Sequence, residues 1–147
     1  MVAIAGERQT GRDPDIVGPA SSAMLTVGRI AAHPDGGYWL HQGGSYPLRR
    51  VSNVGTLTTV GCTYAEISQG NCLAPEDGAN VAQRLIRPSW GGFTSGTDGS
   101  VYWVGDGYRI WRLDAAGTLH WVAGNGSEYP APLLGQVGGP ARSYAIE

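Results

Sequence analysis

The stretch Leu48-Arg49-Arg50-Val51-Ser52-Asn53-Val54-Gly55-Thr56-Leu57-Thr58-Thr59-Val60-Gly61 decides the fold, because it recurs. Ile110-Trp111-Arg112-Leu113-Asp114-Ala115-Ala116-Gly117-Thr118-Leu119-His120-Trp121-Val122-Ala123 repeats it without a gap, at a constant offset of 62 (Leu48 to Ile110). Gly55-Thr56-Leu57 and Gly117-Thr118-Leu119 match identically. Upstream, Pro34-Asp35-Gly36-Gly37-Tyr38-Trp39-Leu40 aligns with Thr97-Asp98-Gly99-Ser100-Val101-Tyr102-Trp103 at an offset of 63 (Asp35 to Asp98). The single residue gained or lost between the two blocks falls in a loop, where length changes are tolerated.

A third element occurs three times, as Gly18-Pro19-Ala20, Asp77-Gly78-Ala79 and Gly139-Pro140-Ala141, each followed by an apolar residue (Leu25, Leu85 and Ile146). Val2-Ala3-Ile4-Ala5-Gly6 resembles Trp121-Val122-Ala123-Gly124. The expected organisation is the end of one repeat with its loop over 1–17, and a complete repeat with its loop over 18–76. A second complete repeat covers 77–137, and 138–147 starts another. Termini out of phase with whole repeats point to a portion of a larger array more than to a self-sufficient domain.

Within each repeat the strand signals are short and punctuated by turns. The first gives Arg29 to Ala32, Tyr38 to His41, Pro47 to Val51 and Thr56 to Val60. The second gives Gly92 to Ser95, Val101 to Val104, Arg109 to Leu113 and Thr118 to Val122. Asp35-Gly36 and Asp98-Gly99 read as hairpin turns, since both residue types accept positive φ. Ser21 to Leu25 and Asn80 to Leu85 are expected to form helical turns. Four antiparallel strands joined by hairpins make the blade of a β-propeller. The expected fold is all-β: about two complete four-stranded antiparallel blades, with partial repeats at both ends.

Composition agrees with that reading. Glycine is the dominant residue, 24 of 147, well above the average usage of about 7 %, and it follows no Gly-X-Y period. Five Trp and seven Tyr supply large apolar groups for a β core. A net charge of -2 with 15 % charged residues gives no electrostatic reason to expect nucleic acid or an anionic membrane. No apolar run approaches the length of a transmembrane helix. The first residues, Met1 to Gly6, are too short for a signal-peptide core and lack a basic flank, so any secretion signal is expected outside this chain.

In order and spacing, these elements resemble the NHL repeat, closest in pattern to the teneurin-like and YD/Rhs-type extracellular forms. Gly18-Pro19-Ala20, Ile30-Ala31, Pro34-Asp35-Gly36, Leu48-Arg49-Arg50-Val51 and Gly55 to Gly61 carry the first copy. Pro88, Asp98-Gly99-Ser100-Val101-Tyr102, Asp106, Arg109-Ile110, Gly117-Thr118-Leu119 and Val122-Ala123-Gly124 carry the second. The first copy departs from the pattern: Gly43-Gly44 replaces the Asp kept at Asp106, and Cys62 stands where the second has Gly. The resemblance implies a propeller whose usual work is protein or carbohydrate recognition. It leaves open a catalytic propeller, a lyase or hydrolase with a metal-dependent site in the central channel.

The chemistry-bearing residues favour the non-catalytic reading. His33, His41 and His120 do not occupy equivalent repeat positions, which argues against a ring of metal ligands drawn from successive blades. Asp35, Asp98 and Asp114 sit at turns, where Asp caps its own backbone. The family commonly uses the position of Asp106 to fix a loop. Arg49, Arg50, Arg109 and Arg112 recur on the third strands, either as a basic stripe for anionic sugars or nucleic acid or, as is more usual, with stems packed along the outer blade surface and guanidinium groups bonded to carbonyls. No Ser has a nucleophile setting, and Gly105-Asp106-Gly107 precedes no helix that would make it a phosphate loop. No cofactor site is read.

Cys62 and Cys72 bracket a nine-residue stretch from Thr63 to Asn71 with no nearby His and no CxxC. Two thiolates alone make a poor zinc site, so a local disulfide is the reading, with two unpaired buried thiols as the alternative. A disulfide would place the protein in an oxidising compartment. The long loops after each blade carry the candidate binding residues Tyr64, Glu66 and Asn71, and Asn125, Glu128 and Tyr129. The expectation is an extracellular or cell-surface binding or scaffold module, not an enzyme, recognising protein or carbohydrate through these loops. Homo-oligomerisation or adjoining blades would complete the ring; neither nucleic acid nor membrane insertion is expected.

Overall fold

A computed structural model of the chain describes residues 15–23, 25, 27–42, 46–105, 107–126 and 139–143. It is nearly all-β, with two antiparallel sheets. The first contains β1 (Gly18–Pro19), β2 (Arg29–Ala32), β3 (Tyr38–His41), β4 (Leu48–Val51) and β5 (Thr56–Val60), in the order β1-β5-β4-β3-β2. The second contains β6 (Pro88–Ser95), β7 (Val101–Gly105), β8 (Arg109–Leu113) and β9 (Leu119–Ala123), in sequence order. A short helix, α1 (Tyr64–Ser68), lies in the connection between the sheets.

Four hairpins share one geometry. In the first, His33 N–H bonds to Gly37 C=O at 2.8 Å and Gly36 N–H to His33 C=O at 3.0 Å. The same pair of bonds links Gly96 with Ser100 and Gly99, Ser52 with Thr56 and Gly55, and Asp114 with Thr118 and Gly117. Each is a three-residue turn whose last residue is left-handed, with φ of 89° at Gly36 and 83° at Gly99. The sequence expectation of positive φ at both Asp and Gly is corrected here: only the glycine adopts it, and the Asp acts through its side chain.

The repeat also explains the outer edges. β1 pairs with β5 through Gly18↔Leu57 and Pro19↔Thr56. In the second sheet Gly78 N–H bonds to Leu119 C=O and Leu119 N–H to Ala79 C=O, both at 2.8 Å. So Gly18-Pro19 and Gly78-Ala79 each close the outer edge of the sheet that follows them.

Side-chain alternation splits each strand between two faces. Trp39 joins a core between the sheets with Leu48, Val101, Trp103, Trp111, Leu113 and Leu119. Its neighbours Tyr38 and Leu40 turn the other way, against Ala20, Ala23, Val51 and Leu57. Each large apolar side chain buried this way contributes about 1.5–3 kcal/mol, so the shared core welds the sheets together. The first four-strand edges meet as well: β2 packs beside β6, and Ser95 Oγ donates to the Ala32 carbonyl.

Other details depart from the sequence reading: β4 starts at Leu48 and not Pro47, β7 runs on to Gly105, and β9 lies one residue later, at Leu119–Ala123. β6 starts at Pro88, with a register shift between Pro88 and Phe93 that absorbs the glycine pair. The first expected helical turn is a 3₁₀ turn at Ala20–Ser22, after which Ala23 is extended. The second is absent; Asn80 and Arg84 instead make isolated bridges to Thr118 and Leu73.

Candidate functional site

The connection after the first sheet is a built loop. Cys62, 2 % exposed, closes on Cys72 as a disulfide with the Cα atoms 6.2 Å apart. Between them, Thr63 and Glu66 form a reciprocal cap at the start of α1. Glu66 Oε2 accepts from Thr63 N at 2.8 Å and from Thr63 Oγ1 at 2.9 Å, while Glu66 N donates back to Thr63 Oγ1 at 3.2 Å. These bonds hold the Glu66 carboxyl below the ordinary range, the Thr63 backbone bond first. A second carboxylate arrives from before β1: Asp15 accepts from Tyr64 N at 2.5 Å and from Ala65 N at 2.9 Å. Negative charge at a helix start satisfies its free N–H groups and its dipole.

Further contacts fix the loop's exit. Leu73 N–H bonds to Gln83 C=O at 2.9 Å and Leu85 N–H to Leu73 C=O at 2.8 Å. Arg84 donates to the Ala74 carbonyl at 2.8 Å and pairs with Glu76 at 3.2 Å. Cys62 N–H bonds to Arg84 C=O at 3.0 Å. The Tyr64 ring stacks on Tyr46, with centroids 5.3 Å apart. What this scaffold presents to solvent is Ala65, Ser68, Gln69, Gly70, Asn71 and Leu73.

A second feature is a cleft of about 450 Å³ between the sheets, where the turn after β2 faces the turn after β8. His33, Asp35, Trp39 and Arg50 line one wall, and Gly99, Leu113, Asp114 and Gly117 the other. Asp35 accepts from Gly37 N at 2.8 Å and from Arg50 Nη2 at 2.7 and 2.6 Å, and its other neighbour is His33 at 2.8 Å. The Gly37 bond leads in holding its carboxyl down at about 2. Asp98 does the same one repeat on, with Ser100 Oγ at 2.5 Å, Ser100 N at 3.1 Å and Arg112 Nη2 at 2.9 Å. Its carboxyl is likewise held at about 2, chiefly by the Ser100 hydroxyl. Asp114 bonds to Ala116 N, Thr118 N and His120 Nε2, and the His120 contact is the main cause of its lowered pKa.

The expected residues fall into separate places. Tyr64, Glu66 and Asn71 share the disulfide loop; Tyr64 stacks, Glu66 caps, and Asn71 is exposed with its amide donating to Gln69 Oε1 at 3.0 Å. Asn125 is exposed beyond β9. Asp106, Glu128 and Tyr129 lie outside the described residues. His33 is at a turn, His41 is buried against Phe93 with ring centroids 6.3 Å apart, and His120 pairs with Asp114. Among the described residues no three His, Cys, Asp or Glu side chains gather as metal ligands.

The arginines are engaged. Arg50 and Arg112 hold turn aspartates, while Arg49, wholly buried, donates to the carbonyls of Thr58 and Ile16. Arg109 and Arg142 lie over the Trp121 ring at 4.9 and 5.2 Å, and Arg142 also pairs with Asp77 at 2.7 Å. The sequence reading missed α1 and its caps, although Thr63-Tyr64-Ala65-Glu66 has the spacing of a capping box. It also missed Asp15, whose partners stand far along the chain.

No helix of the described residues is long and apolar enough to cross a membrane, and the disulfide indicates a non-reducing environment. No family model matches the sequence, and no curated protein shows significant similarity to it. Among solved structures, the chain is similar to a structural genomics protein of unknown function from Bacteroides thetaiotaomicron, at 20 % identity and a TM-score of 0.48. The match covers 65 % of this chain and 23 % of that one, so the chain spans less than a quarter of that protein's length.

Proposed function

We propose that the chain is a non-catalytic recognition or scaffold module of an extracellular or cell-surface protein, built from NHL-type propeller blades that belong to a larger or oligomeric ring. The ligand is a protein or a carbohydrate, met by the loops between blades. One observation carries the reading. The Cys62–Cys72 loop is held at both ends and at its helix start by a disulfide, a capping box and the Asp15 carboxylate, yet its tip is solvent-exposed. A loop fixed before binding loses little entropy on binding, which suits recognition. The two-sheet repeat supports the blade reading, because successive sheets share a core and set their first strands side by side.

A printed glycan array and a panel of secreted protein ectodomains, probed with the chain and with a Gln69→Ala/Asn71→Ala variant, test this. Binding that the variant loses supports the reading. Binding that survives the variant, or turnover of a bound glycan, counts against it.

A further inference from the structure

We infer that a small cavity beside Gly105, walled by Trp103, Trp111 and Arg87, binds a single small inorganic anion of the halide class. The cavity measures about 30 Å³, and Pro75 and Leu85 complete its lining. A space above about 10–15 Å³ admits one water-sized species, so a monatomic ion fits and an organic molecule does not. Trp103 and Trp111 stand directly opposite each other on β7 and β8, so their side chains share a face. They are 2 % and 4 % exposed. Gly105, two residues beyond Trp103, lies on that same face. A Cβ there would stand 3.2 Å from Trp103 Nε1 and 3.3 Å from Trp111 Nε1. The glycine therefore keeps open the space onto which both indole N–H groups border. Among the described residues Trp111 Nε1 meets no acceptor. Trp121 Nε1, by contrast, donates to the carbonyls of Ala123 and Gly124 at 3.1 and 2.7 Å. A buried donor without an acceptor is costly, and an occupant that accepts from it removes the cost.

The lining side chains decide the sign of the occupant. An indole N–H only donates, and the Arg87 guanidinium only donates and keeps its charge. The side chains of Pro75 and Leu85 carry no polar atom. A cation finds no side-chain ligand in this set. A water would accept from the donors, but its own protons would find no side-chain acceptor. An anion needs none, and its charge meets that of Arg87, which strengthens the bond. Glu76, next to Pro75 in the chain, is exposed and paired with Arg84 at 3.2 Å, so its charge is already balanced. The repeat shows that the feature belongs to the second sheet alone. At the offset of 62, Trp111 stands where the first sheet has Arg49, which is wholly buried and donates to the carbonyls of Thr58 and Ile16. The first sheet satisfies the buried donor at this position from its own backbone; the second leaves it to a ligand.

Thermal unfolding followed by near-ultraviolet circular dichroism tests it, with sodium chloride or bromide titrated against sodium gluconate at constant ionic strength. Gluconate is too large for the cavity and holds the screening constant. The expected result is a midpoint that rises saturably with either halide, as mass action requires of a ligand bound by the folded state. Arg87→Gln removes the charge and Trp111→Phe the unpartnered N–H, and each should lose the rise. Arg142→Gln, at an exposed arginine over Trp121, should keep it. Each variant is its own reference in gluconate, so a loss of stability does not mimic a loss of the rise. Equal wild-type midpoints in halide and gluconate overturn the inference and make the cavity a water site. So does a rise that Arg87→Gln or Trp111→Phe keeps at wild-type strength, because the halide then binds elsewhere. Should neither variant fold, anomalous scattering from bromide in a wild-type crystal decides: a peak within hydrogen-bond reach of Trp111 Nε1 supports the site, and no peak there overturns it. Every one of these outcomes leaves the proposed role of the Cys62–Cys72 loop untouched.

Discussion

Asp35 holds Arg50 across the first sheet, its two carboxylate oxygens 2.7 and 2.6 Å from one guanidinium nitrogen, and so ties a turn between β2 and β3 to the strand beyond. Asp98 and Arg112 make the same tie in the second sheet at 2.9 Å. The device is part of the repeat, and each Asp also satisfies a backbone N–H of its own turn.

That arrangement sets an acid limit. Both carboxyls are held at about 2, below the ordinary aspartate value of 3.8. The folded state therefore binds these protons less readily than the unfolded chain. Their contribution is present above the unfolded value and is lost as pH falls through about 2. Urea midpoints measured from pH 5 to pH 2 should decline for the wild type and decline less for Asp35→Asn/Asp98→Asn. Parallel curves would show that the pairs do not govern acid stability.

His41 sets a second, higher limit. Burial, then the Arg29 charge, lowers its pKa from the ordinary 6.5, and its Nε2 has no hydrogen-bond partner. A depressed folded pKa means stability that is full above 6.5 and falls as pH drops below it. His41→Val, which installs the residue of the equivalent position Val104, should flatten the thermal midpoint between pH 7 and pH 5. An unchanged slope in the variant would exclude His41 as its source.

The disulfide closes a short loop, with a sequence separation of 10. Chain-entropy arguments assign such a cross-link about 2–3 kcal/mol. Cys62→Ser/Cys72→Ser should lower the stability measured by urea unfolding by that order, and adding reductant should change the wild type but not the variant. Equal curves with and without reductant would contradict this.

The shared core predicts joint unfolding. Leu119→Ala, at a wholly buried position in the core between the sheets, should cost about 2–5 kcal/mol. Val54→Ser, at a turn residue 83 % exposed, should change stability by less than about 0.5 kcal/mol. A single calorimetric transition is expected for both. Two separate transitions in Leu119→Ala would mean that the sheets fold independently.

Much of the fold was legible because the repeat exposes what each residue is for. Arg29–Ala32, Tyr38–His41, Thr56–Val60 and Arg109–Leu113 have the limits that their alternation and flanking turns suggest. β6 was harder: the expected strand ran only from Gly92 to Ser95, yet an edge of the sheet accepts a proline start and a register shift, so it begins at Pro88. The disulfide followed from two cysteines with no other metal-binding company. Its loop was less legible, since the role of Glu66 depends on a helix only five residues long, and the role of Asp15 on a contact across 49 residues. Which arginine meets which aspartate is a matter of register: adjacent Arg49 and Arg50 point to opposite faces, so one is buried against carbonyls and the other reaches Asp35.

Gly18-Pro19 and Gly78-Ala79, the segments that close the outer edges, each leave the ribosome before the strand they will bond. During synthesis the closing piece is therefore already present when the fourth strand of its sheet emerges. That chain order shortens the time the outer rim of each sheet stands unpaired, and an unpaired rim is the template on which nascent neighbouring chains pair and aggregate.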